Sequence, residues 1–521
     1  MPSSTHNLQG DGAHGAAASG PSLVHGLLDA AAREAPEAPA VSDGADHWTY
    51  RRLARLSHAF AQWLLAQGVR PGDRVAVRLP TSARLAVLLF GTSRAGAVFV
   101  PLNPETRGFQ LRPLLADAEP ALLVAEAEAA AASGLGGLTP APVHSIEDVW
   151  ADVERRADLP DGERLPGAAV APTALAVLLY TSGSTSTPKA VACPHAQVVF
   201  AASAIQQVLG YRPDDVVLSR FPMSWDVGLY KVLLSTLGRS HLVLVGDGTS
   251  DLVLMRRIRE TAATVVPVVP SLAAMLVKLA AREAEPVPGV RMFTSTGAAL
   301  PQATIDGLRR AFPGARVVRQ YGQTECKRLT VMPVDRDDER PGSVGLALPG
   351  TSVLIVDGEG RPVPAGETGE IVAAGPHVMP GYWRDPERSA VTFRPDGAGG
   401  LRLHTGDFGR LDEDGFLYFE GRRDDLFKRR GTRMSVVEIE AAAADIPGVR
   451  ACVVLAPTDR RDLAIVVASE LDPHTVLREL ARRLEPAKVP AHCRTLAELP
   501  LTPHGKSDRK ALAAMIDGET R

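Results

Sequence analysis

A chain of 521 residues exceeds one ordinary domain, and 45% hydrophobic with 22% charged residues is the composition of a globular protein. Its formal net charge of −3 excludes the basic excess that bulk nucleic-acid or polybasic membrane binding requires. The four cysteines, Cys193, Cys326, Cys452 and Cys493, form neither a CxxC pair nor a paired framework, which argues for a reducing cytoplasm and against a zinc site.

Residues 1–22 are dominated by Gly, Ser and Ala, lack the basic start and apolar run of a signal peptide, and are expected to form a disordered tail. "YRRLARLSHAFAQWLLAQG" then sets Leu53, Leu56, Phe60, Trp63 and Leu64 on one helical face and stops at Gly68. "DRVAVRL" reads as a buried strand, "SARLAVLLFGTSRAG" as a helix and "AVFVPLNP" as a strand closed by prolines. Charge at Arg94 interrupts the apolar text there, so no run reaches membrane-spanning length. Between about 170 and 330 the short apolar strands "ALAVLLYTS", "DVVLSRF", "HLVLVG", "TVVPVVPS", "VRMFTSTG" and "ARVVRQYG" alternate with helical stretches. That rhythm predicts parallel sheets with helices on their faces. After about 341, turn pairs such as Asp357-Gly358 predict antiparallel hairpins, and helix and strand signals resume from "VVEIEAAAADIPGV". The expected fold class is α/β, with a boundary near Gly421 to Asp425 where apolar strand gives way to exposed charge.

The stretch "LLYTSGSTSTPKAV", Leu178 to Val191, offers the hydroxyls of Thr181, Ser182, Ser184 and Thr185, backbone amides near Gly183, and the charge of Lys189. Together these could wrap a polyphosphate at the end of a strand. The order Pro188-Lys189-Ala190 is not that of a Walker loop, and a Ser/Thr-rich linker stays open as the alternative. In "QYGQTE", Glu325 at a strand end suits a magnesium ion shared with phosphates, or is a plain surface carboxylate. In "HTGD", Asp407 could accept bonds from ribose hydroxyls, or simply form an Asp turn. Lys506 in "TPHGKSDR" is either a reaching cation or a solvated lysine.

In this order the motifs "YTSGSTSTPKAV", "STGAAL", "QYGQTE", "GETGEIVAAG", "HTGDFGRL", "GRRDDLFKRRGTRMSVVEIE" and "LPLTPHGKSDRKAL" resemble those of the adenylate-forming superfamily of acyl-CoA synthetases, nonribosomal-peptide adenylation domains and luciferases. The likeness runs from about residue 25 to 515; it departs from the family pattern at Ser186 and Ala190, where glycine is usual. It implies an AMP-binding domain over 23–421, made of two parallel-type αβ subdomains and a small β-barrel-like one. A small mobile α+β C-terminal domain over 422–521 would turn about a hinge at Asp424. It further implies that Thr181 to Lys189 hold the β,γ-phosphates, Thr324 touches the α-phosphate and Glu325 binds Mg²⁺. Gly297, Ala298, Ala299 and Tyr321, with Gln320 and Gly322, would line the adenine side of an ATP site; Asp407 and Arg422 would hold the ribose. Lys506 would bridge the substrate carboxylate and the α-phosphate as charge builds. The basic run Lys428, Arg429, Arg430 and Arg433 could meet a phosphopantetheine phosphate or an acidic carrier, or be a solvated hairpin face.

By the same likeness "FPMSWDVGLYKVL" begins the acyl pocket, and Asp226 stands where amino-acid-activating relatives pair a carboxylate with the substrate ammonium. A carboxylate on an apolar wall is costly without a cation. The other pocket positions are Val227, Tyr230, Pro267, Thr294, Thr296, Gln320, Arg328 and Leu329. Arg328 turned inward would take a second carboxylate, as in an aspartate-like or β-amino acid; turned to solvent it leaves a small neutral amino acid, which is the preferred reading. The implied product is an aminoacyl thioester on a separate carrier protein with a phosphopantetheine arm, or on CoA. Rival readings are an aryl or short-chain acyl-CoA ligase, an amide-forming adenylate ligase, and a non-catalytic nucleotide-binding relative.

Overall fold

The computed structural model describes residues 20–106, 108–159, 169–181, 189–246, 249–282, 287, 289–397, 399–422, 426–429, 432–458, 461–484, 486–501 and 507–519. Ser182, Gly183, Ser184, Thr185, Ser186, Asp424, Arg430 and Lys506 lie outside the described residues, as do the side chains of Lys428, Arg429 and Arg433.

The helix Tyr50–Ala66 shows why the early elements form where the pattern places them. The Thr49 side chain accepts a hydrogen bond from the backbone N–H of Arg52, capping the first turn. Leu53, Leu56, Phe60, Trp63 and Leu64 are all buried, and Gly68 ends the turn in the left-handed region at φ +81°. This helix packs against the helices Ala83–Arg94 and Ile146–Ala157. Beside them lies a six-stranded sheet in the order Val143–Ser145, Leu122–Ala125, Arg74–Arg78, Val98–Pro101, Leu175–Thr181 and Lys189–Pro194. All neighbours are parallel except the last pair, whose antiparallel register sets Thr181 opposite Lys189.

A nine-stranded sheet carries the second half of the large body. Its centre, Arg316–Tyr321, Met292–Ser295, Val265–Val268, Val216–Ser219 and His241–Leu244, is parallel throughout. The carboxyl ends of these strands therefore lie on one side, the position at which open α/β sheets build sites. The antiparallel unit expected after residue 341 is the five-stranded sheet of Ser352–Val356, Gly369–Ala374, Leu401–Leu411, Phe393–Pro395 and Leu417–Arg422. The C-terminal segment has its own apolar clusters, around Ile439, Ile465 and Leu480 on one side of the strands Val449–Leu455 and Ala464–Ser469, and Leu512 and Ile516 on the other. The four cysteines are free thiols, and among the described residues no helix is long and apolar enough to cross a membrane.

Candidate active site

One ten-residue segment, 320–329, aims the side chains of Tyr321, Gln323, Glu325 and Arg328 at partners in other segments. The strand Arg316–Tyr321 ends in a turn in which the Gln323 carbonyl accepts from the N–H groups of Cys326 and Lys327. The turn closes so tightly that a Cβ on Gly322 would sit 2.4 Å from the Lys327 carbonyl oxygen, so glycine is required there. Lys327 adopts φ +67°, which reverses the chain and sends Arg328 and Leu329 back into the body.

At the end expected to meet phosphate, Glu325 is 6% exposed and its Oε1 lies 2.8 Å from Lys189 Nζ. The Tyr382 hydroxyl donates to the same oxygen at 2.8 Å, and Lys189 Nζ sits 4.4 Å from the Tyr382 ring centroid. Burial works to raise the Glu325 pKa, but the Lys189 charge and these hydrogen bonds outweigh it and hold the carboxyl below its ordinary value. An ionised, buried oxygen donor of this kind fits a magnesium ion that takes few ligands from protein. Among the described residues no cluster of three or more His, Cys, Asp or Glu side chains could hold a metal by itself. Thr181 is the last residue of its strand, and its hydroxyl donates to the Lys189 carbonyl at 3.4 Å.

At the end expected to meet the nucleoside, Asp407 is buried and its Oδ2 accepts from the Tyr321 hydroxyl at 2.7 Å and from Gln323 Nε2 at 2.8 Å. Arg422 pairs with it in the register of the two strands, yet its Nε stands 3.5 Å from Asp407 Oδ1 and the side chain is exposed. The rings of Tyr321 and Phe419 lie 5.2 Å apart. Gly297, at φ +89°, Ala298 and Ala299 follow the strand Met292–Ser295 and are exposed, leaving a surface open to a flat ring. Thr324 is half-buried beside Glu325.

At the end expected to hold the acyl group, Asp226 opens the helix Asp226–Gly238. The helix start nests against Phe221 and Pro222 because Gly228 has no side chain; a Cβ there would lie 2.2 Å from the Pro222 carbonyl oxygen. Arg328 is turned inward and buried, against the preferred reading that it points to solvent. The cause is the turn: Arg328 Nε donates to Gln320 Oε1 at 2.9 Å, Nη1 donates to the Lys327 carbonyl, and Nη1 lies 3.7 Å from Asp226 Oδ2. Thr294, Thr296, Gln320, Leu329, Pro267 and Tyr230 are buried, while Val227 is half-buried. The Tyr230 hydroxyl donates to the Val198 carbonyl at 3.3 Å, and the buried Gln320 Nε2 finds no partner among the described residues.

Sequence reasoning missed four groups here. Gln323, a polar residue in a turn, gives no cue in "QYGQTE" and donates to Asp407. Tyr382 in "MPGYW" carried no signal of its own. Two buried lysines also stand against the pocket: Lys327, with Nζ 3.3 Å from Cys193 Sγ and 5.7 Å from the Tyr230 ring centroid, and Lys231, with Nζ 3.5 Å from the Tyr211 hydroxyl. Lysine inside an otherwise apolar run, as in "GLYKVLL", was the available cue. A separate cleft of about 620 Å³, lined in part by Arg212, Arg291 and Arg316, opens near the amino ends of the parallel strands and shares no residue with these groups.

The family model for the AMP-binding enzyme matches residues 28–383, and that for the AMP-binding enzyme C-terminal domain matches 438–506. The nonribosomal peptide synthetase CymA of Salinispora arenicola (strain CNS-205) is 34% identical over 507 residues, covering 95% of this chain. The chain spans only 6% of that relative's length. The L-proline–[L-prolyl-carrier protein] ligase of Streptomyces coelicolor is 31% identical over 528 residues, covering 94% of this chain and 96% of that one. Among solved structures, VinN in complex with L-aspartate shares 52% identity at a TM-score of 0.71, over 77% of this chain and 98% of that one. Its complex with 3-methylaspartate gives 48% identity and a TM-score of 0.66 over 76% and 98%.

Proposed function

The chain belongs to the AMP-binding, adenylate-forming enzyme family, and on that premise we propose that it activates an amino acid bearing a second carboxylate. The activated species is the aminoacyl-AMP, formed from ATP with release of pyrophosphate, and the acyl group then passes to the phosphopantetheine thiol of a separate carrier protein in the cytoplasm.

A free carboxylate is a poor electrophile because its leaving group would be oxide, and attachment to AMP supplies a good one. The protein has to bring the acid in line with the α-phosphorus and neutralise the charge that gathers there. In this reading Thr181 to Lys189 cradle the β,γ-phosphates and Thr324 meets the α-phosphate. Tyr321, with Gly297, Ala298, Ala299, Gln320 and Gly322, borders the adenine. Asp407 and Arg422 take the ribose hydroxyls. Glu325 would hold Mg²⁺, which when bound draws charge from the phosphate oxygens. Lys506 supplies the cation between the two reacting groups, and the turn at Asp424 exchanges it for the thiol-binding face.

The observation that carries the substrate class is Arg328 standing inward, 3.7 Å from Asp226. A cation and an anion at that spacing on one wall complement an ammonium and a carboxylate on neighbouring carbons of one ligand. The carboxylate left over is the one presented to the α-phosphorus. The aspartate-type ligands in the titles of the VinN complexes and the carrier-protein acceptor in the name of the proline ligase support the same reading. Pyrophosphate exchange across acidic, neutral and β-amino acids and amine-free acids tests it. Exchange led by acidic amino acids is expected; exchange led by small neutral amino acids or by amine-free acids overturns it.

A further inference from the structure

Lys231 follows Tyr230 on the helix that Asp226 begins, and it is 3% exposed. Its ammonium nitrogen lies 3.5 Å from the Tyr211 hydroxyl and 6.0 Å from that ring's centroid. Among the described residues it forms no ion pair with a carboxylate. Tyr211 is itself buried and clamped by Gln206, whose Nε2 donates to the Tyr211 carbonyl at 2.8 Å and whose Oε1 accepts from the Tyr211 N–H at 3.3 Å. Val227, an expected pocket position, lies one helical turn before Lys231 on that helix. Lys231 and the Tyr211 hydroxyl therefore form a buried polar pair behind the helix face that carries Asp226, Val227 and Tyr230.

A buried ammonium without a counter-ion is costly, and a hydrophobic residue of similar length would fill the same space at no such cost. Two charges act on Lys231: Arg328, which opposes its proton, and Asp226, which favours it. The helices Val24–Glu34 and His195–Leu209 and the strands Val216–Ser219 and His241–Leu244 pack against its helix. Their titratable residues include His25, Asp29, His195 and His241, but the charges that act on Lys231 are the two at the pocket. Burial, then Arg328, push its pKa down to about 7.

We propose that Lys231 is a specificity-determining cation of the acyl pocket, which becomes charged when an amino acid of net negative charge enters and leaves neutral amino acids without that reward. The inference rests on the substrate class proposed above. An aspartate-like ligand places one ammonium against Asp226 and one carboxylate against Arg328, and these two roughly cancel. Its second carboxylate is an added negative charge in a low-dielectric space, and the Lys231 amine answers by taking a proton from solvent; no bond in the ligand changes. The ligand thus raises the Lys231 pKa. Its contribution to affinity is complete below the empty-site value of about 7 and is lost as pH rises through the higher, occupied-site value.

Calorimetric titration of the full chain with L-aspartate, 3-methylaspartate and L-alanine, at pH 7.5 in phosphate and in Tris, reads the proton directly. Wild type should take up about half to one proton with an acidic amino acid, and alanine should show no buffer dependence. Lys231→Met should abolish the uptake and raise KM for the acidic substrate about tenfold with little change in kcat. Tyr211→Phe keeps the ring, removes only the hydroxyl, and should change the uptake without unfolding the wall. Acidic-substrate binding without buffer dependence in wild type, or unchanged uptake in Lys231→Met, overturns the role of Lys231 alone. Failure of wild type to bind either aspartate overturns the substrate reading and this inference with it.

Discussion

Two acid–base pairs hang from the same ten residues, and they differ in how closed they are. At the proposed phosphate end Glu325 meets Lys189 at 2.8 Å and receives the Tyr382 hydroxyl as well. At the proposed acyl end Asp226 and Arg328 stand 3.7 Å apart, beyond hydrogen-bond range, while Arg328 Nε is committed to Gln320 and Nη1 to a carbonyl. A closed pair has to be opened before its members can serve a ligand, so the incoming group must replace what it displaces. An ajar pair leaves electrostatic demand unmet, and a zwitterion can enter without breaking a hydrogen bond. The first arrangement suits phosphate, which brings several charges at once; the second suits selection among small acids.

The largest effect should come from the group that belongs to neither pair. Lys506→Ala should lower adenylation by about a hundredfold or more while ATP still binds, measured by pyrophosphate exchange and by nucleotide titration. A variant that keeps full exchange would leave the two pairs as the whole of the charge chemistry. Next, Arg328→Leu should cost about thirtyfold in kcat/KM for acidic amino acids, since it strands Asp226 without its partner. An equal loss for alanine would mean that the ajar pair holds the fold rather than the ligand. Lys189→Met is the matching cut at the closed pair and should raise KM for ATP about tenfold, with amino-acid selectivity unmoved. A change in selectivity there would join the two ends that the geometry separates.

Much of this was legible from residue pattern alone. The alternation of apolar runs placed the parallel strands, and the periodicity of Leu53, Leu56, Phe60, Trp63 and Leu64 placed a buried helical face. Asp226 marks an apolar wall that needs a cation, Glu325 a strand end suited to magnesium and Asp407 a Gly turn suited to ribose hydroxyls; in the fold Glu325 and Asp407 have partners at 2.8 and 2.7 Å, and Arg328 stands 3.7 Å from Asp226. The direction of Arg328 was not legible. It is set by a backbone reversal at Lys327 that a non-glycine residue rarely adopts, and no local signal announces it. Tyr382 was invisible for a different reason: its partner Glu325 is 57 residues away in the chain, and a tyrosine in a Pro-Gly turn reads as packing. Gln323 was hidden in the same way, since an amide in a turn reads as solvated and its acceptor Asp407 is 84 residues away.

The smallest effect is a test of closure in acid. Because the Lys189 charge and the Tyr382 hydroxyl hold the Glu325 carboxyl below its ordinary pKa despite burial, the stabilisation it gives is present above the unfolded-state value. That stabilisation disappears as pH falls through the lower, folded-state value. Wild type should therefore melt about 1–2 °C above Glu325→Gln near neutrality, and the two curves should converge as pH falls below the ordinary carboxylate range. Removing the lysine shifts the balance the other way: in Lys189→Met the buried carboxyl keeps its desolvation and loses its main opposing charge, so its acid transition should move upward in pH. If melting profiles of wild type and Glu325→Gln run parallel down to pH 3, the pair is not closed in solution, and the contrast between the two ends of the cleft falls with it.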